Sequence, residues 1–240
     1  MSENESKSET PASMYSWRVK ALDSWLCSKS AGGRELVTMM MLNQAGHLDQ
    51  FHYQVGNIAL HVSLCVFVYQ GIEANNEIIE LLQVEASDKL LDVGSGIGGP
   101  ARYISWKTGC SVDGFDIQPD LVEKAKEVAQ MVGLEKKVSF TAMDVCTEHF
   151  AEKVSSTGAL YDGYYSILVN LHIPKEPRLA MFKNIGRALK ETGALCIEDY
   201  VLRSSERQLT TEESLILREV VGVAYLPTME EYLVSRLFIH

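Results

Sequence analysis

Three carboxylates and a glycine-rich turn are spaced as a ligand site through the middle of this chain. Asp92 precedes the run Gly94-Ser95-Gly96-Ile97-Gly98-Gly99, Asp116 ends the second apolar run, and Asp144 ends the third. Gly94, Gly96 and Gly99 satisfy G-x-G-x-x-G, the spacing at which a strand turns sharply into a helix and backbone N–H groups approach a ligand. The helix start beyond the turn adds the positive end of its dipole. Asp116 stands where a carboxylate accepts hydrogen bonds from ribose hydroxyls. The fingerprint by itself serves a dinucleotide as well as other nucleosides. Asp92 would face a pyrophosphate unfavourably but suits a ligand with an ammonium group. Asp144, or the backbone beside it, is placed to reach an adenine edge. One carboxylate after each of three strands fits a cationic adenosyl ligand with an amino-acid tail better than it fits NAD.

The elements that position these residues alternate. Ile72–Leu82 reads as an amphipathic helix. Strands are expected at 89–93, 111–116, 138–143, 161–168 and 194–201, with helices at 99–108, 119–132 and 174–190. Gly133 and Gly193 stand as helix stops. Such alternation predicts an α/β fold with a doubly wound, Rossmann-like parallel sheet. Ahead of it, residues 1–13 read as a polar, disordered tail and 14–71 as a helical N-terminal lid segment. Within that segment residues 55–69 read as an insertion, because no Asp, Glu, Lys or Arg occurs from Phe51 to Ile72 and their removal joins lid to helix smoothly. After the fifth strand 39 residues remain, read as helices over 211–223 and from 228 to about 237.

The formal net charge of −10 argues against a nucleic-acid backbone or an anionic membrane as the main partner. The five cysteines are scattered, with no Cys/His cluster at metal spacing, so no metal site and a reducing, cytoplasmic location are expected. No signal peptide is visible. The apolar stretch Ile58–Tyr69 is too short to span a bilayer, which needs roughly 20 residues.

Leu91-Asp92-Val93-Gly94-Ser95-Gly96-Ile97-Gly98-Gly99-Pro100-Ala101 resembles motif I of the class I S-adenosylmethionine-dependent methyltransferases. Asp116-Ile117-Gln118 resembles their ribose-binding strand end, and Met143-Asp144-Val145 their adenine-binding segment. The resemblance covers residues 72–201. It implies S-adenosylmethionine as cofactor, with Gly94, Gly96 and Gly98 bordering the methionine moiety, Asp116 holding the ribose, Gln118 flanking the adenine and Asp144 with Val145 contacting it; Asp92, Ser95 and Ile117 complete the cofactor-binding candidates. Leu168 belongs to the strand edge that faces the sulfonium and acceptor. Leu171-His172 is similar to the phosphoethanolamine and sarcosine/dimethylglycine N-methyltransferases. By that likeness His172 is a candidate general base or acceptor-orienting group, since imidazole titrates near neutral pH, and Tyr53 of the lid its candidate partner. The blander alternative has His172 capping or packing at the next helix. Many N-methyltransferases carry an acid just after the fourth strand; here Leu168, Val169 and Asn170 stand, and Asn170 is read as able to orient a neutral amine.

The expected function is methyl transfer to a small-molecule acceptor, an amine nitrogen. The alternatives are a catalytically impaired cofactor-binding relative and an NAD-dependent oxidoreductase. The family's sheet has seven strands, so the methyltransferase domain, 72–240, is expected to lack the last two. Composition does not set the oligomeric state.

Overall fold

Strand-forming runs that are apolar on both faces can be buried only between two layers of helices. The computed structural model has this architecture. It describes residues 72–158, 160–202, 209–218, 222–228 and 230–232. The lid segment, including Tyr53 and the suspected insertion, lies outside the described residues.

In chain order the elements are α1 (Ile72–Leu81), β1 (Lys89–Val93), α2 (Gly99–Thr108), β2 (Ser111–Asp116), α3 (Pro119–Met131), β3 (Val138–Ala142), α4 (Glu148–Thr157), β4 (Tyr161–Ile167), a one-turn 3-10 helix (Asn170–His172), α5 (Lys175–Ala188), β5 (Leu189–Glu198) and α6 (Thr211–Ile216). The five strands among the described residues are all parallel, in the order β3-β2-β1-β4-β5. Strand succession reverses between β1 and β4. That switch point opens a crevice at the carboxyl ends of the strands, where ligands bind in sheets of this type.

Alternation along each strand divides the core in two. Leu90 and Tyr165 pack with Ile78, Ile104, Val122 and Phe140 on one face. Leu91, Val93 and Tyr164 pack with Phe150, Met181, Phe182 and Ile185 on the other. Charges pin the opposite, amino end of the sheet. Lys89 Nζ lies 2.7 Å from Asp113, which also accepts the Tyr161 hydroxyl at 2.9 Å, and the Lys89 N–H donates to Asp162 at 3.0 Å.

Several elements differ from the sequence reading: the helix expected over 211–223 ends at Ile216 and residues 222–223 are not helical, and Gly193, read as a helix stop, lies within β5. Helix α4 was not expected between β3 and β4; it buries Phe150 and Val154 and ends at Gly158 in the left-handed region. Strand β5 begins at Leu189 rather than 194, directly at the end of α5. Its pairing jumps from Tyr161↔Leu189 to Gly163↔Ala194, and the irregular stretch Lys190–Gly193 absorbs the slack.

Candidate ligand site

The glycine turn is fastened to the end of β2. Gly94 and Ser95 N–H groups donate to the Phe115 carbonyl at 2.7 and 3.1 Å, and Gly98 N–H donates to the Ser95 carbonyl at 2.8 Å. The carboxylate of Asp116 closes the turn from the other side. Its Oδ2 accepts the Gly96 N–H at 2.8 Å and its Oδ1 the Gln118 N–H at 2.9 Å. Burial pushes the Asp116 carboxyl up, and the two N–H donors oppose that rise. Asp92 is buried in β1, in register with Gly114 on β2 and Tyr165 on β4.

Gly94, Gly96 and Gly98 all have positive φ, at 73°, 53° and 75°. Their surroundings differ. A methyl group at Gly94 would meet the Val169 side chain, and one at Gly98 would meet the Phe140 ring and, at 2.9 Å, Arg102 Nη1. A methyl group at Gly96 would meet no atom within 4 Å. Among the described residues Gly96 is therefore the glycine of the turn with open space beside it, while Gly94 and Gly98 press on protein. Of the three glycines expected to border the methionine moiety, Gly96 is the one with room for a side chain.

Around this turn the remaining candidates gather at the carboxyl end of the sheet. Ile117 is 61% exposed although apolar, a costly placement beside the crevice unless an apolar ligand face covers it. Gln118 and Ser95 are buried, and Gln118 Oε1 and Ser95 Oγ have no hydrogen-bond partner among the described residues. A buried unsatisfied polar atom costs roughly 1–3 kcal/mol, so such atoms beside a crevice point to a ligand that satisfies them. Asp144 folds back to accept the Cys146 N–H at 2.8 Å, and Val145 is buried with its carbonyl held by Asn184 at 2.9 Å. The 143–145 segment is thereby fixed, and its polar edge and backbone remain the parts that can meet a base. Leu168 adopts φ 54°, a left-handed conformation a leucine occupies only at a cost of roughly 1–2 kcal/mol. Its N–H donates to the Glu198 carbonyl at 2.8 Å, which holds the kink where β4 leaves the sheet and sets Val169 against Gly94.

Beyond the kink stands His172, half-buried in the 3-10 turn. Its Nδ1 lies 2.8 Å from the Gly222 carbonyl oxygen. A carbonyl only accepts, so Nδ1 carries a hydrogen, and in the neutral ring the lone pair then sits on Nε2. That is the tautomer of a general base working through Nε2. Asn170 is fully buried, and its amide nitrogen donates to Ser166 Oγ at 3.3 Å.

Sequence reasoning missed Asp199, the residue immediately after β5. Its carboxylate accepts N–H bonds from Leu171 at 3.0 Å and Tyr200 at 2.8 Å and the Tyr232 hydroxyl at 3.1 Å. Burial pushes it up to about 6 against those donors and the nearby Arg178 guanidinium. Its signal was available, since it is a fourth carboxylate at a strand end. Among the described residues no group of three His, Cys, Asp or Glu side chains could hold a metal ion, and no helix is long and apolar enough to cross a membrane.

Comparison with known proteins places this geometry. Residues 90–193 match the family described as a methyltransferase domain. The phosphoethanolamine N-methyltransferase of Plasmodium falciparum (isolate 3D7) is 34% identical over 136 residues, 57% of this chain and 48% of that protein. The chain thus spans about half the length of that relative, and 24% of the phosphoethanolamine N-methyltransferase 1 of Arabidopsis thaliana, to which it is 33% identical over 130 residues. Among solved structures, the geranyl diphosphate C-methyltransferase of Streptomyces coelicolor A3(2), in complex with Mg2+, geranyl diphosphate and S-adenosyl-L-homocysteine, superposes with a TM-score of 0.58 at 15% identity, covering 68% of this chain and 58% of that one. The fold is the Rossmann-like sheet seen in these methyltransferases, and residues 90–193 are similar to a methyltransferase domain.

Proposed function

We propose that this methyltransferase domain binds S-adenosylmethionine and transfers its methyl group to a small molecule, at an amine nitrogen. The observation that carries the reading is the turn itself: a left-handed glycine turn fastened to Phe115 and Asp116, open at Gly96, with buried Gln118 and Ser95 lacking hydrogen-bond partners among the described residues. Those groups suit a nucleoside with an amino-acid tail. Asp92 and the turn would hold the tail, Asp116 the ribose, and Ile117, Gln118 and the 144–145 backbone the base. When bound, the cofactor supplies a methyl group already activated on a sulfonium.

The protein's own part is then positioning. Aligning donor and acceptor and excluding water accounts for most of the rate in such a displacement. A protonated amine has no lone pair to attack with, so one proton must leave. His172, held with Nδ1 as donor, presents Nε2 as the base that takes it. Support for nitrogen as the accepting atom comes from the phosphoethanolamine relatives and from His172. The solved C-methyltransferase of geranyl diphosphate supports carbon as the alternative.

Calorimetry of the full chain with S-adenosylhomocysteine and with NAD tests the cofactor. Binding of the first and not the second is expected, and the reverse would overturn the reading. Transfer of labelled methyl to phosphoethanolamine, and none to geranyl diphosphate, is expected. The opposite pattern would move the assignment to carbon.

A further inference from the structure

His172 owes its orientation to contacts far away in the sequence. The Gly222 carbonyl takes its Nδ1 hydrogen, and the preceding Leu171 carbonyl accepts N–H bonds from Ala224 at 2.8 Å and Tyr225 at 3.2 Å. The 222–232 segment therefore lies over the 3-10 turn as a strap. Its far end is anchored by Glu231, which accepts from Lys175 Nζ at 2.8 Å and from the Thr228 N–H at 3.0 Å, and by Tyr232, whose ring packs edge-on to Phe182. One side chain bonds to both the turn and the strap. Asp199 Oδ2 accepts the Leu171 N–H and the Tyr232 hydroxyl together.

We propose that Asp199 is a positioning residue for His172: by joining the Leu171 N–H to the Tyr232 hydroxyl it locks the strap on the 3-10 turn and so fixes the imidazole tautomer. The inference rests on the reading of His172 as the acceptor-side base. Asp199 does not itself reach a reacting atom; it acts through Leu171 and the strap. The groups around it suit a charged, fixed carboxylate. Arg178 from α5 offers an attractive charge, and Tyr200, Leu171 and Tyr232 offer hydrogens, against repulsion from Glu198 on β5. Three donors to one partly buried carboxylate also explain why the site tolerates an acid there. Loss of the negative charge would leave the Leu171 N–H with a weaker acceptor and the turn free to rotate away from Gly222.

The test uses the full chain without cofactor. Long-range nitrogen–proton spectra of the imidazole, with the His172 signal assigned by its absence in His172→Gln, report which ring nitrogen carries the hydrogen. In the wild type the Nδ1–H form is expected to dominate at pH 8. In Asp199→Asn it is expected to give way to a mixture, and exchange of the Leu171 amide to quicken on the order of tenfold. Tyr232→Phe, a milder change that removes one donor, is expected to shift both readouts in the same direction by about threefold in exchange. An unchanged tautomer and unchanged Leu171 exchange in Asp199→Asn would overturn the proposal; if that variant does not fold, the same null result in Tyr232→Phe decides it. A parallel assay of methyl transfer to phosphoethanolamine is expected to show kcat lowered roughly tenfold in Asp199→Asn with S-adenosylhomocysteine affinity unchanged. A wild type that transfers no methyl group would refute the base reading of His172, while the spectra still decide whether Asp199 sets its tautomer.

Discussion

Alanine at Gly96 and alanine at Gly98 should fail in different ways. Both glycines have positive φ, so a Cβ at either costs roughly 1–2 kcal/mol of backbone strain. At Gly96 nothing else is added, because the new methyl meets no atom within 4 Å. At Gly98 the methyl collides with the Phe140 ring and Arg102 Nη1 inside the core, an overpacking that typically costs a further 1–3 kcal/mol or so. Gly96→Ala is thus expected to lose about 1–2 kcal/mol and Gly98→Ala about 2–5. For a chain of this size that is roughly 2–8 °C and 4–20 °C in Tm. Binding should order the other way per unit of stability lost. The Gly96 methyl stands in the crevice where the ligand's tail would lie, so S-adenosylhomocysteine affinity should fall at least about tenfold in a protein that still unfolds cooperatively. Thermal unfolding and titration calorimetry on both variants, together with the double variant Gly98→Ala/Phe140→Leu, make the assay. Trimming Phe140 should return part of the loss at Gly98, with a coupling of roughly 0.5–3 kcal/mol, and none at Gly96. Unimpaired S-adenosylhomocysteine binding by Gly96→Ala would refute the placement of the ligand against Gly96. Equal Tm for the two single variants would refute the Phe140 argument.

Asp116→Asn keeps the shape of the side chain but loses its charge and one acceptor; S-adenosylhomocysteine affinity is expected to fall on the order of 10- to 100-fold with a small change in Tm, as measured by calorimetry. Asp199 holds its proton more tightly folded than unfolded, being raised from 3.8 to about 6. The stability it contributes is therefore present below pH 3.8 and is lost as pH rises to about 6, by up to roughly 3 kcal/mol, so denaturant unfolding of the wild type relative to Asp199→Asn should decline across that window. Glu231 is held down to about 2 by Lys175 and Tyr225, so its contribution is present above pH 4.5 and is lost as pH falls toward 2; amide exchange of Ala224 and Tyr225 should quicken over that range in the wild type and not in Glu231→Gln. Burial pushes the thiols of Cys110, Cys146 and Cys196 up, Cys146 to about 12, so alkylation followed by peptide mass spectrometry should find these three slow to react at pH 8 in the folded protein and fast in denaturant.

What the sequence made legible follows the range of the forces involved. The β1 strand, the turn and α2 were read at their observed bounds because local chemistry dictates them: an apolar run, positive-φ glycines, and a proline in the first helical turn. Helix α4 carried its own signals, Thr147 before it, Phe150 and Val154 four apart, and Gly158 after it, yet its ten residues are too short for periodicity to stand out from a loop. The early start of β5 had no local signal at all; Thr192-Gly193 reads as a turn, and only pairing with Tyr161 makes Leu189 part of the sheet. The site divides along the same line. Asp92, Gly94, Gly96 and Asp116 sit at strand ends, where periodicity predicts them. The acceptor side is assembled by contacts across 28 residues, from Asp199 to Leu171, and across 50, from Gly222 to His172. Nothing in the neighbourhood of His172 announces which of its nitrogens will be held, and nothing local announces that Asn170 is fully buried. On the proposed reading, cofactor binding is encoded at successive strand ends, and the base by where the chain returns. Substitutions in the strap should accordingly alter proton transfer while leaving cofactor binding intact, a separation that adjacent positions in the glycine turn do not permit.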